Sequence, residues 1–187
     1  MLRCFVPEYG SMGREEICAS LRLQPDGETA ADMNTEIAYA GGRYVRLDAA
    51  FEADMPPEYG GKVLLNFECQ MNRTPYPIYA RAACYGAALL LSGLESSGYR
   101  SLRRAISFWF NVDAKAEVRN TVVQSPDTFI TRGEARGICG YVRTIVVNLG
   151  PADLPAPTAA LRFFSLLLAR GLTKEEREKK ISEEFDK

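Results

Sequence analysis

The sequence predicts a single domain of the α/β or α+β class, and three observations support this. The 187 residues fit within one domain and are enough to bury a continuous hydrophobic core. Hydrophobic residues make up 47% of the chain and charged residues 25%, which is the balance of a folded globular protein. The hydrophobic patterns follow one another as helix, hairpin, helix, further strands and further helices, which predicts helices packed on a sheet.

The first part of the chain is predicted to form a short helix followed by a β-hairpin. A stripe of apolar residues behind two glutamates predicts a helix over 11–23, with Ser11 as its N-cap. Alternating apolar residues predict strands over 43–52 and 62–71, and the prolines and glycines between them predict a loop. Along the second strand, odd-numbered residues are expected to face the core and even-numbered residues the opposite side.

A second helix is predicted over 76–91, where a Tyr-Pro pair opens a run of Ala, Leu, Tyr and Gly. We expect this helix to be mostly buried, and Arg81 is its only charged residue. Thr173 and Glu176 have the spacing of a capping box at the start of the last helix. The other predicted elements are strands over 105–112, 121–124, 128–131 and 141–149, the last of them central, and helices over 159–170 and 173–187.

The chain contains no histidine, which excludes several kinds of active site. Ser-His-Asp triads, Cys-His pairs and histidine-ligated zinc all require an imidazole. The cysteines are odd in number, lack a Cys-x-x-Cys pair and predict neither a zinc site nor a disulfide framework; they are Cys4, Cys18, Cys69, Cys84 and Cys139. Any catalysis is therefore expected to use carboxylates, Lys, Tyr, Cys, Ser or a metal held by oxygen atoms.

The formal net charge is −1, from 23 basic and 24 acidic side chains. A protein that coats nucleic acid by charge alone would be basic, so that mode of binding is not expected, although a local basic groove is allowed. No apolar run reaches the roughly 18 residues that a spanning helix needs, and the N-terminus lacks the features of a signal peptide. We therefore expect a cytoplasmic protein with no membrane partner.

Three polar residues on the predicted hairpin form a candidate metal site. Glu68 and Gln70 share one face of the second strand, and Asp48 lies on the neighbouring strand. Two carboxylates that converge from adjacent strands offer the oxygen ligands preferred by Mg²⁺ or Mn²⁺. Acidic residues on a half-exposed hairpin are also common, so this pattern alone leaves a plain surface strand as the alternative.

A resemblance to a known family begins at these residues. R-L-D-A-A-F, N-F-E-C-Q-M-N and Y-P-I-Y-A-R-A-A-C-Y resemble, in order and spacing, elements of the PD-(D/E)XK nuclease family transposases, which include the recombination-promoting nucleases of bacteria. S-L-R-R-A-I-S-F-W-F-N and G-Y-V-R-T-I-V-V-N-L-G are similar to later strands of that family. Residues 173–187 match the start of a charged C-terminal part that is longer in the family, so we expect a shortened member.

The resemblance implies a restriction-endonuclease-like core, an α/β fold in which helices flank a mixed sheet. It assigns the metal-binding positions to Asp48 and Glu68, with Mg²⁺ or Mn²⁺ as the ion. Gln70 stands where the wider superfamily has a lysine, and Arg81 is a candidate for the missing charge, within reach of Glu68 or Asp48. Glu8 is considered as a third acidic group, with an ordinary surface position as the favoured alternative.

The leading hypothesis is a metal-dependent DNA endonuclease of the transposase-associated type. Asp48 and Glu68 would hold the metal, Gln70 would orient water and Arg81 would meet a phosphate of the DNA. A catalytically silent relative that binds DNA or protein, and an unrelated interaction protein, are the alternatives. We expect one nuclease-like domain over 1–172 followed by the charged helix over 173–187, and a homodimer is left open.

Overall fold

The structure is a computed structural model that describes residues 1–24, 33, 35–39, 43–94, 98–125 and 140–185. The strands are β1 (Glu36–Tyr39), β2 (Arg43–Arg46), β3 (Ala49–Asp54), β4 (Lys62–Gln70), β5 (Arg104–Asn111), β6 (Thr121–Gln124) and β7 (Val142–Asn148). The helices are α1 (Leu2–Phe5), α2 (Arg14–Ser20), α3 (Ile78–Ser92), α4 (Ala159–Leu167) and α5 (Lys174–Phe185). Short 3-10 helices cover Pro7–Tyr9, Gly98–Ser101 and Ala116–Val118.

Five strands form one mixed sheet in the order β3-β4-β5-β7-β6. β4, β5 and β7 are parallel, whereas β3 and β6 run antiparallel at the two edges. The register places Gln70 opposite Asn111 and Asn111 opposite Asn148. Three polar side chains therefore lie side by side where the parallel strands end, and ligands commonly bind at this edge in α/β folds.

Helices cover both faces of this sheet, so the predicted α/β class and the mixed sheet are confirmed. The larger core joins one face of β4, β5 and β7 to α1, α2 and α4, with Phe108 and Tyr9 fully buried in it. On the other face, α3 and the β1–β2 hairpin cover Leu64 and Ala105, and α3 covers Trp109. The interior strand β5 is buried at all six of its central residues, as expected for a strand with both faces covered.

The predicted alternation along β4 is confirmed. Val63 and Leu65 lie in the larger core, and Leu64 lies in the core beneath α3. The even-numbered side is not a solvated face, because Asn66 and Glu68 on this side are also buried. Asn66 and Glu68 consequently occupy a protected environment, whereas Lys62 on the same side is exposed.

The strand predicted over 43–52 is wrong at its middle, where the chain forms two strands. Up to Leu47, whose backbone N–H donates to the carbonyl oxygen of Thr35, the chain pairs with β1. From Ala49 onward it pairs with β4 instead. Asp48 lies at this change of partner, which the uninterrupted hydrophobic alternation did not show.

Several helix boundaries also differ from the predictions. The helix predicted over 11–23 is only α2 (Arg14–Ser20), and its N-cap is Gly13, not Ser11; the Gly13 N–H donates to Glu16 Oε2 at 2.6 Å. α3 begins at Ile78 rather than at the Tyr-Pro pair. The helix predicted over 159–170 ends at Leu167. At these ends local hydrogen bonding, rather than the apolar stripe, determines where the helix stops.

The expectation that α3 is mostly buried is wrong. Ala82, Gly86 and Leu89 face the sheet and are buried, whereas Tyr79 and Leu91 are exposed. An apolar helix can keep one side exposed to solvent, because its composition does not determine which of its residues pack against the rest of the protein. Within the described residues, no helix is long and apolar enough to cross a membrane.

The other predicted elements fit the structure closely. β6 confirms the strand predicted over 121–124. The strand predicted over 141–149 corresponds to β7; it lies inside the sheet as expected, but the middle strand is β5. The capping box is present, since the Thr173 N–H donates to Glu176 Oε2 and the Glu176 N–H donates to Thr173 Oγ1. The strand predicted over 128–131 lies outside the described residues.

Candidate functional site

Asp48 and Glu68 come together at the edge of the sheet, through a reciprocal pair of hydrogen bonds. Ala49, the first residue of β3, lies opposite Phe67 in the β3–β4 ladder, and this register brings Asp48, which directly precedes β3, beside Glu68. The Asp48 backbone N–H donates to Glu68 Oε1 at 3.0 Å, and Asp48 Oδ2 accepts from the Cys69 backbone N–H at 3.0 Å. The two predicted metal ligands are therefore neighbours; the Asp48 N–H orients the Glu68 carboxylate, and the Cys69 N–H orients the Asp48 carboxylate.

Glu68 is 4% exposed, and its surroundings oppose its negative charge. The pKa of Glu68 is raised to about 7: burial raises it most and the nearby charge of Asp48 adds to this rise, whereas hydrogen bonds from the Asp48 N–H and Asn66 Nδ2 and the charge of Arg81 offset part of it. Asn66 Nδ2 donates to Glu68 Oε1 at 3.0 Å. A buried carboxylate beside a second carboxylate is stabilised in its ionised form by a cation.

One oxygen of each carboxylate is available for such a cation. Within the part of the chain that the structure describes, Asp48 Oδ1 and Glu68 Oε2 have no hydrogen-bond partner. The described residues contain no group of three or more His, Cys, Asp or Glu that could hold a metal. Two carboxylates nevertheless fit Mg²⁺, because this ion keeps several of its waters and binds through one or two carboxylates.

Gln70 and Arg81 extend the site toward the end of β4. Arg81 Nη1 donates to Gln70 Oε1, and Gln70 Nε2 donates to the carbonyl oxygen of Asn72. The amide of Gln70 is thus held at both ends, and it separates the Arg81 guanidinium from the carboxylate pair. The predicted residues Asp48, Glu68, Gln70 and Arg81 all lie at one end of the β3–β4 pair.

The expectation that Arg81 contacts Glu68 or Asp48 directly is wrong. These three residues are all described, and Arg81 forms an ion pair with neither carboxylate. Its guanidinium carbon instead lies 4.9 Å from the ring centre of Trp109. The aromatic face compensates part of the cost of enclosing the cation on a helix that has no other charge.

Trp109 is a site residue that the sequence reasoning missed. It lies opposite Glu68 in the β4–β5 ladder, its Nε1–H donates to Ser107 Oγ at 2.9 Å, and Tyr85 packs against its ring at 5.0 Å. Tyr85 therefore belongs to the packing around the site. Parallel pairing between β4 and β5 creates this arrangement, and no local pattern in the sequence signals that pairing.

Glu8 lies on the opposite side of the sheet, within the larger core, so its assignment as a third acidic group of the site is wrong. Its two oxygens accept from Arg143 Nη1 and Nη2, each at 2.8 Å. Burial would raise the pKa of Glu8, but the hydrogen bonds and charge of Arg143 hold it below the usual value. The favoured alternative of an ordinary surface glutamate is also wrong, because Glu8 is buried.

A third buried carboxylate, Glu52, lies toward the far end of the β3–β4 pair. Glu52 Oε1 accepts from Lys62 Nζ at 2.7 Å, and Glu52 Oε2 pairs with Arg103. Burial opposes ionisation, yet these two cations hold the pKa of Glu52 below its usual value. Glu52 thus has the cations that Glu68 lacks, although both are buried glutamates of the same two strands.

A groove opens directly beside Gln70. It has a volume of about 500 Å³, and Gln70, Asn111 and Asn148 line it at the ends of the parallel strands. Tyr76 and Tyr79, from the start of α3 and the turn before it, form one wall. Asp48 and Glu68 are not among its lining residues, and Gln70 is the member of the candidate site that borders it.

The fold and the site together define an α/β protein with a five-stranded mixed sheet and a carboxylate pair in which Glu68 is buried and Asp48 is exposed. Comparisons with protein-family models, with curated proteins and with solved structures found no match.

Proposed function

We propose that this protein is a metal-dependent endonuclease that hydrolyses phosphodiester bonds of DNA on a restriction-endonuclease-like core. The observation that supports the proposal best is the pairing of Asp48 with Glu68, which leaves one oxygen of each carboxylate unused. The order and spacing of the nuclease-like sequence elements support it as well. In a chain without histidine, a metal held by oxygen atoms is the most direct route to phosphodiester hydrolysis.

Asp48 and Glu68 would hold the ion through Asp48 Oδ1 and Glu68 Oε2. A bound Mg²⁺ or Mn²⁺ supplies a water of lowered pKa and positive charge for a phosphoryl group. The reciprocal hydrogen bonds between Asp48, Glu68 and the Cys69 N–H fix both carboxylates before the ion arrives. This preorganisation limits the free energy that ordering the ligands would cost.

Gln70 and Arg81 would position the substrate beside the carboxylates. The Gln70 amide is oriented by Arg81 and by the Asn72 carbonyl, so its position is fixed relative to the cavity that it lines. Arg81 is enclosed by Trp109 and Tyr85 and presents a planar guanidinium, which binds phosphate oxygens in pairs. In the wider superfamily a lysine occupies the position of Gln70, and here Arg81 would supply that positive charge.

A cleavage assay with matched variants tests the proposal. Single-stranded DNA and supercoiled and linear duplex DNA are incubated with the protein and Mg²⁺ or Mn²⁺, and we expect cleavage that EDTA abolishes. Glu68→Gln should remove cleavage while the far-UV circular dichroism stays unchanged. Glu52→Gln is the control, since it alters a glutamate that is equally buried in the same strand pair but lies at the far end.

The results separate the competing functions. Cleavage that survives Glu68→Gln would contradict the proposed site. No cleavage by the unaltered protein with either ion would contradict the endonuclease and favour the catalytically silent relative.

A further inference from the structure

The groove beside Gln70 contains features that the carboxylate site does not use. It runs outside the carboxyl ends of the three parallel strands, and its floor carries the amides of Asn111 and Asn148. Asn111 Nδ2 donates to Asn148 Oδ1 at 2.8 Å. Among the described residues, Asn111 Oδ1 has no hydrogen-bond partner, so the floor presents a free acceptor.

One wall of the groove consists of exposed aromatic rings. Tyr76 is 70% exposed and Tyr79 is 43% exposed, and both line the cavity. The Tyr79 hydroxyl accepts from Asn148 Nδ2 at 3.4 Å, which ties that ring to the floor. Exposed rings beside a groove provide stacking surfaces for unpaired bases, and each stacked base contributes about 1–3 kcal/mol.

The charges around the groove are balanced. Arg73 and Lys115 line it together with Asp113 and Glu117, and Arg73 pairs with Asp113 at 3.2 Å. Binding to duplex DNA depends largely on neutralising phosphates with an excess of cations, and this rim provides no such excess. Stacking on tyrosine rings needs no excess charge, but it needs bases that are not already paired and stacked in a duplex.

We propose that this groove binds single-stranded DNA, with bases stacked on Tyr76 and Tyr79 and the backbone passing Gln70. The inference rests on the proposed nuclease function, because the groove would deliver the strand to Asp48 and Glu68. It narrows the proposed substrate from DNA in general to unpaired DNA: the enzyme would act on single strands, overhangs or frayed ends rather than on intact duplex.

Fluorescence anisotropy tests this inference independently of cleavage. A labelled 12-nucleotide strand is titrated with the full-length protein in EDTA, alone and annealed to its complement. We expect at least about tenfold tighter binding of the single strand. The salt dependence should be shallow, with a slope of log K against log salt no steeper than about −1.4, because two cations, Arg73 and Lys115, line the groove among the described residues.

Variants of Tyr76 show whether the groove is responsible. Tyr76→Ala should weaken single-strand binding about tenfold or more, and Tyr76→Phe should retain it because the ring is kept. Tyr44→Ala is the matched control, since Tyr44 is 67% exposed but lies on β2, outside the groove. Equal or tighter binding of the duplex, or unchanged binding by Tyr76→Ala, would overturn the inference.

The outcomes for binding and for cleavage are distinguishable. Single-strand binding that depends on Tyr76, without any cleavage in Mg²⁺ or Mn²⁺, would support the groove assignment and contradict the nuclease. Cleavage of intact duplex that Tyr76→Ala leaves unchanged would support the nuclease and overturn the groove assignment.

Discussion

At the scale of single residues, Glu68 and Glu52 show how partners determine the behaviour of a buried carboxylate. Both are buried in the same strand pair. Glu52 meets Lys62 and Arg103, which keep its pKa low, whereas burial raises the pKa of Glu68 to about 7. A buried carboxyl group whose ionised form is disfavoured until a cation binds it is typical of a functional site.

The raised pKa of Glu68 predicts an unusual dependence of stability on pH. Between pH 4.5 and 7 the folded protein binds more protons at Glu68 than the unfolded chain does, so the free energy of unfolding falls as pH rises. The loss should reach about 3 kcal/mol by pH 8. Urea unfolding at pH 5 and pH 8 should show this loss for the unaltered protein and not for Glu68→Gln.

The lowered pKa values of Glu8 and Glu52 do not mimic this effect. Glu8 and Glu52 stabilise the fold in their ionised forms, and this stabilisation is lost as pH falls below the ordinary carboxyl range. Their effect therefore makes the free energy of unfolding rise with pH, opposite to that of Glu68, and it occurs at lower pH. Parallel pH profiles for the unaltered protein and Glu68→Gln would contradict the assignment.

Arg81 provides a second prediction at this scale. Arg81→Ala should cost about 1 kcal/mol of stability, because the guanidinium packs over Trp109. It should reduce cleavage far more, on the order of 100-fold, because a positive group beside the phosphate is lost. Arg81→Lys should restore only part of the activity, since an ammonium lacks the planar fork.

Trp109, the only tryptophan, reports the contact in the same samples. Its fluorescence should change in Arg81→Ala and not in the Glu52→Gln control. Equal losses of stability and cleavage, when both are expressed as free energies, would contradict a role for Arg81 in positioning the substrate.

At the scale of secondary-structure elements, α3 is placed by close contact with the sheet. Gly86 faces β7, and an added Cβ would lie 2.9 Å from Val142 Cγ1 and 3.3 Å from Thr144 Cγ2. Both neighbours are β-branched residues whose side chains have little freedom to move. Because Gly86 has no Cβ, α3 can approach the sheet closely, and this approach brings Arg81 over Trp109.

Gly86→Ala should destabilise the protein although alanine is the better helix former. The gain in helix propensity is about 1 kcal/mol, and the overpacking costs about 1–3 kcal/mol, so we expect a net loss of about 1 kcal/mol by thermal or urea unfolding. Ala87→Gly on the exposed side of the helix is the control, with a loss of about 1 kcal/mol from propensity alone. A more stable Gly86→Ala protein would contradict the packing.

Much of β4 and α3 could be predicted from the sequence because their signals are local. Alternation fixed the two sides of β4, and the Tyr-Pro pair placed the start of α3 within two residues. The break at Asp48 could not be predicted, since it arises where the chain leaves β1 and pairs with β4. The Glu8–Arg143 pair joins residues 135 positions apart, and no pattern in the sequence signals such a contact.

At the scale of the whole molecule, the topology gathers the candidate chemistry at one edge of the sheet. Parallel pairing of β4, β5 and β7 aligns Gln70, Asn111 and Asn148, and the antiparallel strand β3 adds Asp48 beside Glu68. The convergence of Asp48 with Glu68 could be anticipated from the hairpin. The groove depends on strand order, which hydrophobic patterns do not specify.

Asp48 and Glu68 are proposed to bind a divalent metal ion, and isothermal titration calorimetry of Mn²⁺ tests this binding most directly. We expect a saturable site whose affinity is about tenfold weaker at pH 6 than at pH 8, because binding must displace the proton of Glu68. Glu68→Gln and Asp48→Asn should lose this binding, and Glu52→Gln should retain it. The absence of binding at millimolar Mn²⁺, or equal binding by Glu68→Gln and the unaltered protein, would contradict the claim.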